Sequence, residues 1–408
     1  MSQILTNNND YATALEAVVY ALDGNDVIFA KAEDSMIYGG DGSDFIGQQN
    51  DPYYGDSQGG RGNDTIHGSN FADYIYGEEG NDLLVGGEFS YTDADSGIIT
   101  QHDAFTGEDW LDGGQGTDSI WGLDGNDAIY GGAGDDSGAI TISVKDASAA
   151  DTYWLIQGGL HGGAGFDYVD GGLGNDWIEG GTEDDTLLGG LGDDLIYGDN
   201  TDGTGSGNDW IDGGGGVDNI YGGAGNDTLI GGDGNDNIDG GAGADIFDGG
   251  LGFDIVFYSQ SSAGITADLG NTVAGTGDAA GDTFTYMDGI WGSSYADDLY
   301  GDQWSNTLVG GAGNDWLSGR NGNDSLYGGA GADAFVVAPN NGWDTIFDFQ
   351  DNVDKIDLRS WGFTTVGQAL NYVADTGPHL RFDFADGSHL TVLNVANFGD
   401  LANDILVT

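Results

Sequence analysis

The chain has 408 residues, 80 of them Gly and none Cys, and its 7 Lys and Arg against 70 Asp and Glu give a formal charge of −63. Phosphate recognition needs clustered Lys and Arg, so this balance excludes nucleic acid and disfavours an anionic membrane surface. No stretch reaches the ~18 apolar residues of a membrane span, and without Cys any stapling must come from metal.

Such charge normally implies disorder through self-repulsion, yet 38% of residues are hydrophobic and 11% aromatic, too rich for a disordered acidic tail. A counter-charge is therefore required. Only eight of the acids are Glu (Glu16, Glu33, Glu78, Glu79, Glu88, Glu108, Glu179, Glu183), which leaves 62 Asp. A short carboxylate is preferred where it sits in a turn or reaches a hard cation beside its own backbone, so the bias favours metal ligation over a solvated acidic surface.

In chain order, residues 1–58 repeat poorly, although DGNDVIF (Asp23 to Phe29) and GGDGSDFIG (Gly39 to Gly47) are repeat pieces. Apolar side chains over 14–30 suit a helix or strand closing the end of a stack, as atypical terminal repeats do. The N-terminus lacks the basic start and continuous apolar core of a cleaved signal peptide. A main repeat block covers 59–257, interrupted by loops at 88–109, 137–160 and 199–207, where individuality is expected to reside. Residues 258–291 form a different, linking segment in which ITADL and TFTYM read as strands. A second block spans 292–336, with Asn306 where Asp is expected and its site therefore weakened. Alternation in residues 337–408 predicts a small antiparallel β cap.

The repeat is nine residues long, as in GGAGFDYVD, GGLGNDWIE, GGTEDDTLL and GGLGDDLIY from Gly162 onward, with Asp always sixth. A fixed period means that each unit stacks on its neighbours to bury anything at all. Six residues form a turn, in which glycine permits angles closed to other residues and carbonyls converge inward; three form a strand. The eighth residue points to the core, giving an aliphatic file: Ile120, Ile129, Val169, Ile178, Leu187, Ile196, Ile211, Ile220, Leu229 and Ile238.

Two units make one coil, so alternate aspartates stack along one edge at the inter-strand spacing of ~4.8 Å. At an effective dielectric near 20, two such carboxylates repel by roughly 3.5 kcal/mol, and the stack needs a cation. Carboxylate plus backbone carbonyl is a hard, adaptable cage that suits Ca²⁺ better than Mg²⁺. The expected ligands are Asp64, Asp73, Asp82, Asp118, Asp127, Asp136, Asp167, Asp176, Asp185, Asp194, Asp209, Asp218, Asp227, Asp236, Asp245, Asp254, Asp297, Asp315, Asp324 and Asp333. About twenty divalent ions would cancel roughly 40 of the negative charges.

GGAGND, GGLGND and GGDGND with the triplet that follows resemble the nonapeptides of RTX proteins over most of residues 59–336. That resemblance implies an all-β fold, a parallel β-roll (a right-handed solenoid of calcium-binding nonapeptide repeats) with small β caps at its ends. The segment around 258–291 is similar to the linker between repeat blocks in this family. The end, from WDTIFDFQDNVDKIDL to NDILVT, resembles that of RTX exoproteins such as the serralysin group, where an acid followed by apolar residues is read by a type I secretion apparatus. Asp404, Ile405, Leu406 and Val407 fit that pattern and Thr408 departs from it. A secreted, extracellular or cell-surface protein is implied.

The protease motif HExxH of the serralysins is missing, and the histidines (His67, His102, His161, His379, His389) are scattered, so no catalytic residue is assigned. GDSQG (Gly55 to Gly59) satisfies GxSxG literally, but in a glycine-rich turn rather than at a strand–elbow–helix junction. Asp93, Asp95, His102, Asp103 and Glu108 gather in the first loop, where a solvated polar loop is the simpler reading. Trp110, Trp177, Trp210 and Trp316 follow the ligand position and Trp121 ends a triplet; all five are expected outward as a contact surface. The expected function is a non-catalytic, calcium-dependent structural protein that assembles with itself in a surface layer, filament or biofilm matrix. The alternatives are a module binding surface or matrix polysaccharide, or an enzyme whose site lies in the inserted loops.

Overall fold

A three-residue strand holds no sheet alone, so each nonapeptide must find its partner one coil away. The computed structural model describes residues 2–4, 11–14, 18–30, 36–48, 55–68, 73–79, 82–86, 110–115, 118–124, 128–133, 140–144, 152–156, 159–201, 203–375, 377, 379–393, 395 and 401–407. They fall into two units, Met1–Gly223 and Ala224–Thr408.

In the first unit, successive triplets alternate between two parallel sheets, which is a parallel β-roll. One sheet stacks strands from Val18–Asp23 through Met36–Asp41, Gly55–Arg61, Asp73–Glu79, Trp110–Gln115, Ala128–Ala133, Tyr168–Leu173 and Thr186–Leu191 to Trp210–Gly215. The other stacks Val27–Ala30, Phe45–Gln48, Thr65–His67, Leu83–Val85, Ser119–Asp124, Leu160–Ala164, Trp177–Thr182 and Leu195–Asp199. Of the helix or strand expected over 14–30, the described residues form strands, Val18–Asp23 and Val27–Ala30, with Val19 and Ile28 buried. Within 137–160, Ile140–Val144 pairs antiparallel with Thr152–Ile156. The 88–109 insertion lies outside the described residues.

Register fixes which side chains meet. Val169 pairs with Leu187, and Leu187 with Ile211, one coil apart; all three are fully buried. Each such side chain contributes about 1.5–3 kcal/mol relative to exposure, and identical stacking lets every coil reuse the same core. The turns close through glycine: Gly192 has φ of +145°, and a Cβ there would lie 1.5 Å from the Gly174 carbonyl oxygen. Only hydrogen fits, which is why the fourth residue of the turn is glycine.

In the second unit, Thr228–Gly234 and Ile246–Gly252 stack on Thr283–Thr285, while Asn237–Ala242 and Ile255–Phe257 stack on Gly289–Trp291, Thr307–Ala312, Ser325–Ala330 and Trp343–Ile346. A third parallel sheet starts at Thr266–Asp268 and runs through Asp298–Tyr300, Trp316–Ser318, Ala334–Val336 and Lys355–Asp357 to Ile405–Leu406. The two alternating stretches of the linking segment are therefore strands belonging to different sheets. The C-terminal region is only partly antiparallel. Val373–Asp375, Leu380–Asp383 and His389–Val392 pair antiparallel, but His389–Val392 joins Trp343–Ile346 in parallel and Ile405–Leu406 extends the third sheet. Alternation reports one buried face and is blind to strand direction.

Leu187→Ala, at a fully buried position, should cost about 2–5 kcal/mol. Leu191→Ala, at a residue 61% exposed on the same strand, should change stability by less than about 0.5 kcal/mol. Urea unfolding under conditions that fully fold the roll would check both; equal losses would overturn the assigned side-chain directions.

Candidate metal centres in the turns

Among the described residues, successive turns deliver their sixth residue to the same place, and the backbone of the neighbouring coil orients it. The N–H of Asp167 donates to Asp185 Oδ1 (2.8 Å), and that of Asp185 to Asp209 Oδ1 (2.9 Å). On the other edge, Asp176 donates to Asp194 (2.8 Å) and Asp194 to Asp218 (2.9 Å). The same bond joins Asp64 to Asp82 and Asp82 to Asp118. In the second unit it joins Asp227 to Asp245, Asp236 to Asp254, Asp297 to Asp315 and Asp315 to Asp333, and Asn306 to Asp324. Asp73 opens its strand in register with Gly55. Asp127 and Asp136 lie outside the described residues.

With Oδ1 used in this way, the second oxygen turns inward. Oδ2 of Asp44, Asp64, Asp82, Asp185, Asp194, Asp245, Asp254, Asp315 and Asp333 is buried and accepts no hydrogen bond. It faces the first glycine of its own turn: a Cβ on Gly231 would lie 2.5 Å from Asp236 Oδ2 and 2.7 Å from the Gly249 carbonyl oxygen. Gly180 and Gly310 repeat the pattern with Asp185 and Gly198, and with Asp315 and Gly328. The missing side chain leaves room beside one carboxylate oxygen and one carbonyl oxygen, all acceptor and no donor. Among the described residues no three His, Cys, Asp or Glu side chains converge, so such a site must draw on backbone oxygens as well. That donor set fits a hard cation of Ca²⁺ type.

Electrostatics state the same need. Burial pushes Asp185 up to about 9, against the opposing hydrogen bond from the Asp167 N–H and with the carboxylates of Asp167 and Asp209 adding to the rise. Burial likewise raises Asp64, Asp245 and Asp315 to about 7 and Asp82, Asp194 and Asp254 to about 6. Desolvated, mutually repelling carboxylates hold protons unless a metal takes their place.

Several members of these ladders lie outside the ligands expected from sequence. Asp26 donates to Asp44 Oδ1 and Asp44 to Asp64 Oδ1, both at 2.8 Å. Their sixth-place position in DGND and GGDGSD was the available signal. Asp282, Asp288, Asp344 and Asp354 accept from Asp245, Asp254, Asp324 and Asp333, and no glycine frame marks them. Some have protein donors on the second oxygen: Tyr258 Oη on Asp282 (2.6 Å), Asn341 Nδ2 on Asp344 (2.8 Å) and the Gln350 N–H on Asp354 (2.7 Å). Asp297, expected as a ligand, also differs, because the Ser293 N–H and hydroxyl and the Ile265 N–H occupy both its oxygens.

Of the five tryptophans, Trp110 and Trp210 are exposed, and Trp121 and Trp316 are half-buried; the Arg359 guanidinium lies 5.6 Å from the Trp316 ring. Trp177 does not face solvent as expected. It is only 8% exposed, because the bare backbone of Gly159 lies against the indole and the His161 ring meets it edge-on at 4.7 Å.

The family model of the RTX calcium-binding nonapeptide repeat matches residues 20–47, 58–92, 103–137, 160–187, 170–204, 203–229, 221–256 and 305–335, more than half of the chain. No curated protein matches it. Among solved structures, the AlgE6R3 subunit from the Azotobacter vinelandii mannuronan C5-epimerase is 27% identical over 29% of this chain and 77% of its own, with a TM-score of 0.25. The extracellular lipase LipA from Serratia marcescens is 19% identical over 60% of this chain and 40% of its own, with a TM-score of 0.21.

The raised carboxylates give a pH dependence of definite sign. Their folded values lie above the ordinary 3.8, so the folded chain without metal favours the protonated form. With divalent ions chelated, the stability they contribute is full below about pH 4 and is lost as pH rises through about 6 to 9. Circular dichroism in excess chelator should therefore show more β structure at pH 4 than at pH 8; β content that rises with pH would refute this.

Proposed function

The chain belongs to the RTX calcium-binding nonapeptide repeat family and binds calcium, and on that premise we propose that it is a secreted structural protein whose folding outside the cell depends on calcium and whose folded form assembles with copies of itself in a surface layer, filament or matrix. The ligands in this reading are the inward Asp oxygens and the first-glycine carbonyls of successive turns. Bound calcium supplies the positive charge that the stacked carboxylates lack. The chain's own residues set the geometry: Oδ1 is tied to the neighbouring backbone, Oδ2 is left toward the turn, and glycine keeps the space clear.

The observation that carries the reading is the sameness of these turns. One acceptor pair recurs coil after coil, so free energy from many equivalent sites adds and folding becomes switch-like in calcium. In a low-calcium cytoplasm an acidic chain of this kind stays extended, which suits export through a type I channel. The residues proposed as its signal, Asp404 to Val407, afterwards pack into the third sheet of the second unit, where Ile405 pairs with Ile356.

Absence of catalysis is part of the proposal. Its support is that two of the described histidines serve the scaffold: His161 Nδ1 lies 3.1 Å from Glu179 Oε2 between Trp121 and Trp177, and His389 Nδ1 lies 2.6 Å from Asp383 Oδ1. A second reading, polysaccharide binding, is favoured by one face of the first unit. There Trp110 and Tyr168 each adjoin Tyr130, at 4.7 and 5.8 Å, with Asp112 and Asp170 in register with Tyr130.

Circular dichroism during a calcium titration should show a steep, chelator-reversible gain of β structure, and Asp185→Asn should reduce the number of bound ions. Full β structure in excess chelator at neutral pH would sink the folding mechanism. Electron microscopy of the calcium-loaded protein should show ordered sheets or fibres; monodisperse particles that retain a glycan ligand would favour the second reading.

A further inference from the structure

In one turn of the second unit the ligand is changed and a cation of the chain stands beside it. The repeat from Gly301 to Val309 carries Asn306 in sixth place. Asn306 is buried in the ladder position, its Oδ1 accepting the Asp302 N–H (2.8 Å) while its buried Nδ2 has no partner. This turn therefore offers a neutral amide oxygen, already accepting a backbone N–H, where its neighbours offer a carboxylate oxygen. The carbonyl of its first glycine, Gly301, accepts instead from Arg320 Nη1 at 2.8 Å.

Arg320 holds an irregular position of its own. It is the second residue of its repeat, where Gly311 and Gly329 stand in the repeats before and after. Its φ of +67° keeps the backbone in the left-handed region, unfavourable to any residue with a Cβ, so the side chain is retained against its local preference. Both terminal nitrogens of the guanidinium are engaged. Nη1 also donates to Asp268 Oδ1 (2.5 Å), Nη2 donates to Asp268 Oδ2 and Thr272 Oγ1 (both 3.0 Å), and the Tyr300 ring centre lies 5.2 Å from Cζ. Asp268 is 1% exposed in its side chain and also accepts the N–H groups of Gly270, Thr272 and Val273. One buried carboxylate and one first-glycine carbonyl, acceptors of the same two kinds as in the metal turns, here converge on a planar cation whose fork matches a carboxylate.

We propose that Arg320 is a built-in substitute for calcium: at the Asn306 turn the guanidinium, bound to Asp268 and the Gly301 carbonyl, supplies the positive charge, so that this turn and the Thr266–Asp268 strand are held together without metal. The inference rests on the reading of calcium as the counter-charge of the other turns. Its logic is compensation, because Asn in place of Asp removes one negative charge, and Arg in place of Gly puts a cation in the turn of the following repeat. Only three of the chain's 7 Lys and Arg precede Arg320 (Lys31, Arg61 and Lys145), so no surplus of cations put one here by chance.

Hydrogen exchange of the full chain, followed by mass spectrometry in saturating calcium and in excess chelator, tests the proposal. In chelator the parent should keep slow exchange over 266–273 and 299–301 while exchange over 162–218 becomes fast. Arg320→Gly should lose that residual protection in chelator yet match the parent in calcium, and Arg320→Lys, a point charge without the fork, should fall between them. Protection in chelator that is the same in the parent and Arg320→Gly would overturn the substitution. So would a loss in Arg320→Gly that is equal with and without calcium, the mark of an ordinary ion pair. Slow exchange throughout the parent in chelator would instead overturn the calcium-dependent folding on which the inference rests. As an independent measurement, Asn306→Asp combined with Arg320→Gly should bind one more calcium ion per chain than the parent, and an unchanged count would also overturn it.

Discussion

The structure depends on the need to neutralise a buried carboxylate oxygen. Sixth-place aspartates such as Asp185 and Asp194 have one oxygen tied to the backbone of the neighbouring coil and one directed into a turn lined by glycine. Ionised and unmet, that second oxygen would cost several kcal/mol in each turn, since an uncompensated buried charge is among the most destabilising features in a protein. The aliphatic file between the sheets is narrow, one side chain per triplet, and cannot offset such a penalty alone. Core packing and metal binding are therefore two halves of one folding event.

From that constraint the composition follows. The excess of Asp over Glu reflects a turn in which one methylene sets the reach of both oxygens. The glycines are positional: the first must be bare to admit oxygens beside it, and the fourth must be bare because the next coil's carbonyl lies where a Cβ would be. Where a coil departs from the rule, a protein donor appears on the second oxygen, as with Tyr258 on Asp282 and Asn341 on Asp344. These departures cluster in the linking segment and near the C-terminal end of the second unit.

Most of this was legible in the sequence, because a strict period transmits one local rule to every copy. The inward file from Ile120 to Ile238 is fully buried as the period requires. Aspartates outside the glycine frame were not legible, since Asp282 and Asp288 reach the ladder only through register set by coils more than thirty residues away. Trp177 was misjudged for a related reason: its outward direction is local, but its cover comes from Gly159 and His161 in the adjacent strand. The direction of the C-terminal strands also escaped the sequence, as alternation fixes a face and leaves the partner open. Arg320 was visible as a broken glycine rule, but Asp268, its partner 52 residues away, was not.

Among the described residues, the hydrogen bonds from one ladder aspartate N–H to the carboxylate of the next coil, 18 or 24 residues later between Asp167 and Asp218, all point the same way along the chain. Each carboxylate is thus aimed by the coil before it and aims none itself; only its backbone serves the coil after. The stack consequently has a polarity that the symmetric look of the repeat conceals. Removing coils from the front of a ladder strips the next carboxylate of its guide, whereas removing them from the back merely frees an amide to water. Damage at the two ends is therefore unequal, and shortening from the rear is the gentler cut.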